Sequence, residues 1–152
     1  MATRGGLRRL ATLYGMVEQM RSLELRVAAG AVDDVVCASA IEALVHRGQV
    51  DGGRAAMAAG DREEWSVAET TREVVEARIE RLAKLRVVRE VKLDEARDAH
   101  KTSRLKVEQM ERVVERARAE AALVEDRKTQ AVADDRFAAR GAWTRAKALR
   151  ET

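Results

Sequence analysis

Few side chains in this 152-residue chain are equipped for chemistry. Histidine occurs twice, at His46 and His100, and cysteine once, at Cys37. A metal centre needs several Cys, His or carboxylate ligands at set spacings, and neither histidine has that company. His100 falls beside Ser103 on a helical face, where a polar residue fixes register. Cys37 has no second cysteine to bridge with, and it suits a small apolar position at a helix interface. A lone thiol points to a reducing compartment, the cytoplasm by default. Arg4-Gly5-Gly6 and Asp51-Gly52-Gly53 share only their glycines with phosphate-binding loops, because the strand and the lysine are missing. No nucleophile–base pair can be nominated. No catalytic residue, cofactor or metal is therefore expected, and no enzyme.

What remains is the chemistry of recognition. Arg4, Arg8 and Arg9 form a basic strip near the start. Arg136, Arg140, Arg145, Lys147 and Arg150 form another near the end, with Phe137 and Trp143 among them and only Asp134, Asp135 and Glu151 as acids. Aromatics flanked by arginines have the composition of an interface core and rim; a frayed, solvated terminus accounts for the same residues. Trp65 stands beside Glu63 and Glu64, and either a partner or a neighbouring helix accounts for it. Over the whole chain the signs are mixed. There are 29 basic and 26 acidic residues, a net charge of +3, with no block of one sign. A nucleic-acid binder carries a basic face with stacking aromatics, so nucleic acid is not the expected partner. The first thirteen residues lack the sustained apolar run of a leader, and no stretch reaches the 18 or so apolar residues that span a membrane.

These residues must be positioned by helices. The chain contains no proline, where about seven would be usual. Proline breaks the helical hydrogen-bond ladder, so its absence marks a chain that is helical nearly throughout. Aromatics are 3% and charged residues 36%, the composition of long helices and coiled coils rather than of a thick core. From Val75 to Leu149, steps of four and three give an apolar seam through Ile79, Leu82, Leu93, Ala96, Val107, Met110, Val114 and beyond, with Arg86, Arg89, His100, Ser103, Lys128, Asp135 and Arg145 as its polar members. The first half has a similar seam through Leu10, Leu13, Val17, Met20, Val27, Ala31, Ile41 and Val45. Its glycines are costly there, since Gly inside a helix loses about 1 kcal/mol relative to Ala.

The expected fold is all-α, an antiparallel two-helix coiled-coil hairpin forming an elongated rod. Two places compete for the turn. Residues 48–53 are glycine-rich. Residues 65–71 hold two capping-box patterns, Ser66-x-x-Glu69 and Thr70-x-x-Glu73, and give helices of better-matched length. The second is preferred, with one domain over 1–152, helix one over about 6–64 and helix two over about 72–149. Seam partners then have numbers summing near 137, so that Gly48 faces Arg89, Gly52 faces Arg86 and Val27 faces Met110. Helix two would outrun helix one after about Phe137, and both basic strips would lie at one end.

The stretch from Arg104 to Arg116, followed by Arg127 to Trp143, resembles the second helix of type III secretion central stalk proteins (the YscO/SctO family and its flagellar FliJ-like relatives). The shared pattern is charged heptads, then Gln and paired acids, then an aromatic near the C-terminus. The Leu-rich opening with Leu7, Leu10 and Leu13 fits the family's first helix. The resemblance implies a non-enzymatic hairpin whose terminal end enters a hexameric secretion ATPase and whose turn meets an export gate protein. Export chaperones are further partners of some members. By position, Arg8, Arg9, Arg136, Phe137, Arg140 and Trp143 would lie at the ATPase end and Trp65 at the gate end. Such a stalk acts as a monomer. The alternatives are a generic coiled-coil adaptor or chaperone-binding protein, and a nucleic-acid-associated helical protein.

Overall fold

A chain without proline, rich in Ala, Arg, Glu, Leu and Val, has little reason to leave the helical conformation. The computed structural model describes residues 4–150 and contains two helices, α1 over Arg4–Ala59 and α2 over Arg62–Arg150. They pack against each other as an all-α hairpin, with no strand among the described residues. The chain divides into two compact units. One is Met16–Leu105; the other joins the residues up to Gly15 with those from Lys106 onward. Both helices run through both units.

The turn is at Gly60–Asp61, not at 65–71 or 48–53. Gly60 has φ +74°, a left-handed conformation that glycine adopts without steric cost. Its N–H donates to Met57 O at 3.2 Å, and Asp61 N–H donates to Ala56 O at 3.0 Å. These two bonds form a Schellman closure, which satisfies carbonyls that the end of α1 would otherwise leave open. Asp61 then begins α2. Its Oδ1 accepts from the N–H groups of Glu63 at 3.1 Å and Glu64 at 3.0 Å, as an N-cap does. Glu63 and Glu64 place negative charge on the positive end of the helix dipole.

The two capping-box patterns serve no cap. Thr70 Oγ1 donates back to Ser66 O at 2.9 Å, and Thr71 Oγ1 to Val67 O at 2.8 Å. Both are bonds of a hydroxyl inside a continuing helix. Gly48 and Gly52 are exposed helical residues facing open space. Gly53 alone uses its small size, since a Cβ there would lie 3.6 Å from Ala68 Cβ.

Moving the turn moves the register. In the Met16–Leu105 unit, contacting residues have numbers summing to 118–122 rather than 137. His100 Nε2 lies 2.9 Å from Glu18 Oε1, and His46 Nε2 lies 3.1 Å from Glu76 Oε1. Arg78 pairs with Glu42 at 3.7 Å. Arg89 donates to Ala31 O at 2.6 Å. Arg89 thus meets Ala31, and the pairing of Gly48 with Arg89 is wrong by some 17 residues.

The phase of the α2 seam is as the spacing predicts. Ala68, Val75, Leu93 and Ser103 are its buried members, and Val75 is the most enclosed, 2% exposed. The phase of α1 is different. Its covered face runs through Leu25, Ala28, Val32, Val35, Ser39, Glu42, His46, Gln49, Gly53 and Ala56. That is one residue on from the expected seam, and one residue turns a helix face by about 100°. Leu10, Leu13, Val17, Met20, Val27, Ile41 and Val45 are consequently exposed. The covered face of α1 is poorer in large apolar groups, and small or polar residues there meet the longer side chains of α2.

The two histidines each join the helices through a glutamate. The hydrogen bond from His46 holds the Glu76 carboxyl below the ordinary glutamate value, and the nearby Arg72 guanidinium adds to this. A carboxyl depressed in the folded state contributes stability above its unfolded pKa of 4.5, and loses it as pH falls through the folded value. Glu76→Gln is therefore expected to lower the urea midpoint near neutral pH. The difference should shrink and disappear as pH falls below 4.5 and through the folded value. Denaturation followed by circular dichroism at several pH values checks this.

Candidate partner-binding surfaces

The unit that joins the start of α1 to the end of α2 contains only the first turns of α1, up to Gly15. Leu7 and Arg8 lie against Val114, Ala117 and Arg118. Since α1 begins at Arg4, the residues of α2 from about 119 onward have no α1 partner among the described residues. The segment beyond α1 thus begins well before Phe137, the point expected from the longer register. From Ala122 to Arg150 every residue except Gly141 is exposed.

The geometry separates residues that the sequence grouped. Arg8 and Arg9 are exposed on α1, and Arg8 lies beside Ala117 and Arg118. Residues 136–143 lie about 27–39 Å further along α2, at 1.5 Å per residue. The two basic strips do not make one patch, because the hairpin closes sixteen residues earlier in register sum than expected.

Within the C-terminal strip the grouping is tighter than composition suggests. Arg136, Arg140, Trp143, Lys147 and Arg150 step by four and three, which puts all five on one face of α2. Lys147 Nζ sits 5.9 Å from the centroid of the Trp143 ring, a cation–π distance. Thr144 Oγ1 bonds back to Arg140 O at 3.1 Å and Gly141 O at 3.0 Å. Arg145 is off this face and donates to Gly141 O at 3.1 Å. Phe137 stands about 100° from the stripe and is 80% exposed. Asp134 and Asp135 lie toward the other side of the helix. The result is a narrow cationic track with one flat aromatic in it, suited to a partner with carboxylates around an apolar notch.

Trp65 belongs to the Met16–Leu105 unit, in the first turn of α2. Its N–H donates to Asp61 O at 3.1 Å. The indole is partly covered, with a groove on each side. One is lined by Met57, Gly60, Asp61 and Arg62, the other by residues that include Val50, Gly53 and Arg72. Met57 beside it is exposed. Trp65 and Met57 together give the turn an apolar tip that sequence spacing alone did not pair.

Among the described residues no group of three or more His, Cys, Asp or Glu could hold a metal ion. Among the same residues no helix is long and apolar enough to cross a membrane. Cys37 is a free, exposed thiol rather than an interface residue. No protein-family model, curated protein or solved structure matches the chain.

Proposed function

We propose that this chain is the non-enzymatic central stalk of a type III secretion export apparatus, coupling its hexameric ATPase to the export gate. The observation that carries the reading is the end of α2 that runs on past the start of α1, with Arg136, Arg140, Trp143, Lys147 and Arg150 along one face. Most helical stability in proteins comes from tertiary packing, so a segment of some 30 residues with no α1 against it is best held by another protein. A ring lined by carboxylates would supply both the walls and the counter-charge. The second contact is the apolar tip made by Trp65 and Met57, assigned to the gate. Arg8 and Arg9 are not part of the ATPase-facing surface in this reading, since they lie far along α2 from it.

The test is stimulation of the cognate secretion ATPase by the purified chain. Arg140→Glu reverses a charge in the middle of the track, and Trp143→Ala removes its aromatic. Each is expected to reduce stimulation at least tenfold, a loss of about 1.4 kcal/mol or more in binding. Because both residues are exposed, helical content should not change. Undiminished stimulation by both variants would reject the assignment.

A further inference from the structure

Within the Met16–Leu105 unit, α1 keeps large apolar side chains on its outer side. Met16, Met20, Leu23 and Val27 follow one another by steps of three and four, and each is more than half exposed, Val27 at 73%. The covered face of the same helix carries Glu18, Ser39, Glu42, His46 and Gln49. The hydrophobic effect favours the reverse arrangement, and a contiguous exposed apolar strip marks a contact surface.

The strip borders a groove of about 430 Å³ between the two helices. Leu23, Val27 and Ala31 form one wall, and Arg89 and Lys92 of α2 stand on the other. One turn back along α2, Leu85 and Val88 are exposed as well. From Leu23 to Ala31 the wall runs about 12 Å, a little over two helical turns. Both walls are helices, whose backbone groups are bonded along their own axes, so no free edge offers main-chain bonds to an added strand. What fits is a helix that lays its apolar side in the groove, with anchors at steps of three and four.

The charges at the rim select the polar flank of that helix. Glu24 also lines the groove, and Arg21 holds it at 2.7 Å. Arg89 donates one N–H to Ala31 O at 2.6 Å, which fixes its guanidinium at the rim with other donors to spare. Among the described residues no carboxylate pairs with Arg89 or with Lys92. A helix with Asp or Glu on this flank meets two cations that lack a counter-charge. A helix with Lys or Arg there is repelled.

We propose that this groove receives an amphipathic helix of another protein, with its apolar side on Leu23, Val27 and Ala31 and its carboxylates against Arg89 and Lys92. The contact goes beyond the functional reading above and does not rest on it. It uses neither the C-terminal track nor the Trp65 tip, and it leaves the chain by itself a monomer.

The probe is a dye-labelled synthetic helix of about 21 residues, long enough to be helical in water, with leucines at steps of three and four and glutamates beside them. A second peptide has lysines in place of the glutamates. In an anisotropy titration with the full chain, the acidic peptide should saturate with a Kd of about 100 µM or lower, and the basic one should bind at least about tenfold more weakly. Leu23→Glu should weaken the acidic peptide about tenfold or more. Lys92→Glu should weaken the acidic peptide and strengthen the basic one. Leu44 is equally exposed but lies about 30 Å along α1 from Leu23, so Leu44→Glu should change neither. All three positions are exposed, and helical content should stay constant. No saturation by about 500 µM, equal affinity for the two peptides, or equal losses at Leu23 and Leu44 would overturn the proposal. So would light scattering of the chain alone at twice 16.9 kDa, restored to one chain by Leu23→Glu, since a second copy would then fill the groove.

Discussion

Val75→Asp is expected to destabilise the hairpin by about 3–5 kcal/mol, the usual result of placing an unpaired charge in a closed site. Val75 is 2% exposed and is the largest fully enclosed side chain. Net stabilities are only about 5–15 kcal/mol, so this one change removes much of the total. The urea midpoint should fall by about 2 M or more. Val75→Ala removes apolar contact without adding charge, and should cost about 2 kcal/mol. The contrast lies in Val74 next door, which is exposed. Val74→Asp should shift the midpoint little, as surface changes usually do. Equal effects at 74 and 75 would mean that α2 does not present its Val75 face to α1.

The turn supplies the second large effect. Gly60→Ala forces a Cβ into the left-handed region at φ +74°, at about 1–2 kcal/mol. Asp61→Ala removes the acceptor of the Glu63 and Glu64 N–H groups, at about 1 kcal/mol. The residues are adjacent, so the double variant need not be the sum, but it should lose at least 2 kcal/mol. Ser66→Ala and Thr70→Ala are the controls. Their hydroxyls lie within α2, and each replacement should be close to neutral. Thermal unfolding of the five variants separates a turn at Gly60–Asp61 from one at 65–71: the second would make the controls the costly changes.

How much of this was legible depends on the residues concerned. The helical class and the phase of α2 were plain, because Val75, Ile79, Leu82 and Leu93 recur on one face at helical spacing. The phase of α1 was not. Leu13, Met20 and Val27 outweigh the residues one position on, and a seam chosen for apolar content selects the outward face. Nothing in spacing alone says that Gly53 is wanted inside for its contact with Ala68. The turn has a short signal, glycine followed by aspartate with Glu64 three residues on, which matches a C-terminal glycine and an N-cap in sequence. The preference for helices of similar length hid it, and that preference has no physical basis when one helix can find a partner elsewhere. At the C-terminal surface, the stripe from Arg136 to Arg150 follows from helical spacing. The separation of Arg8 and Arg9 from it does not, because it depends on the register.

Amide hydrogen exchange along the chain tests the central claim most directly, namely that α2 beyond about residue 119 does not pack against α1 among the described residues and, as proposed, is held by another protein. For the isolated chain, amides of 122–150 should exchange at least about tenfold faster than those of 68–103, since an unpacked helix opens locally. Addition of the cognate secretion ATPase should slow exchange across 136–150. If 122–150 is as protected as 68–103 in the isolated chain, or if the ATPase leaves its exchange unchanged, the account is contradicted.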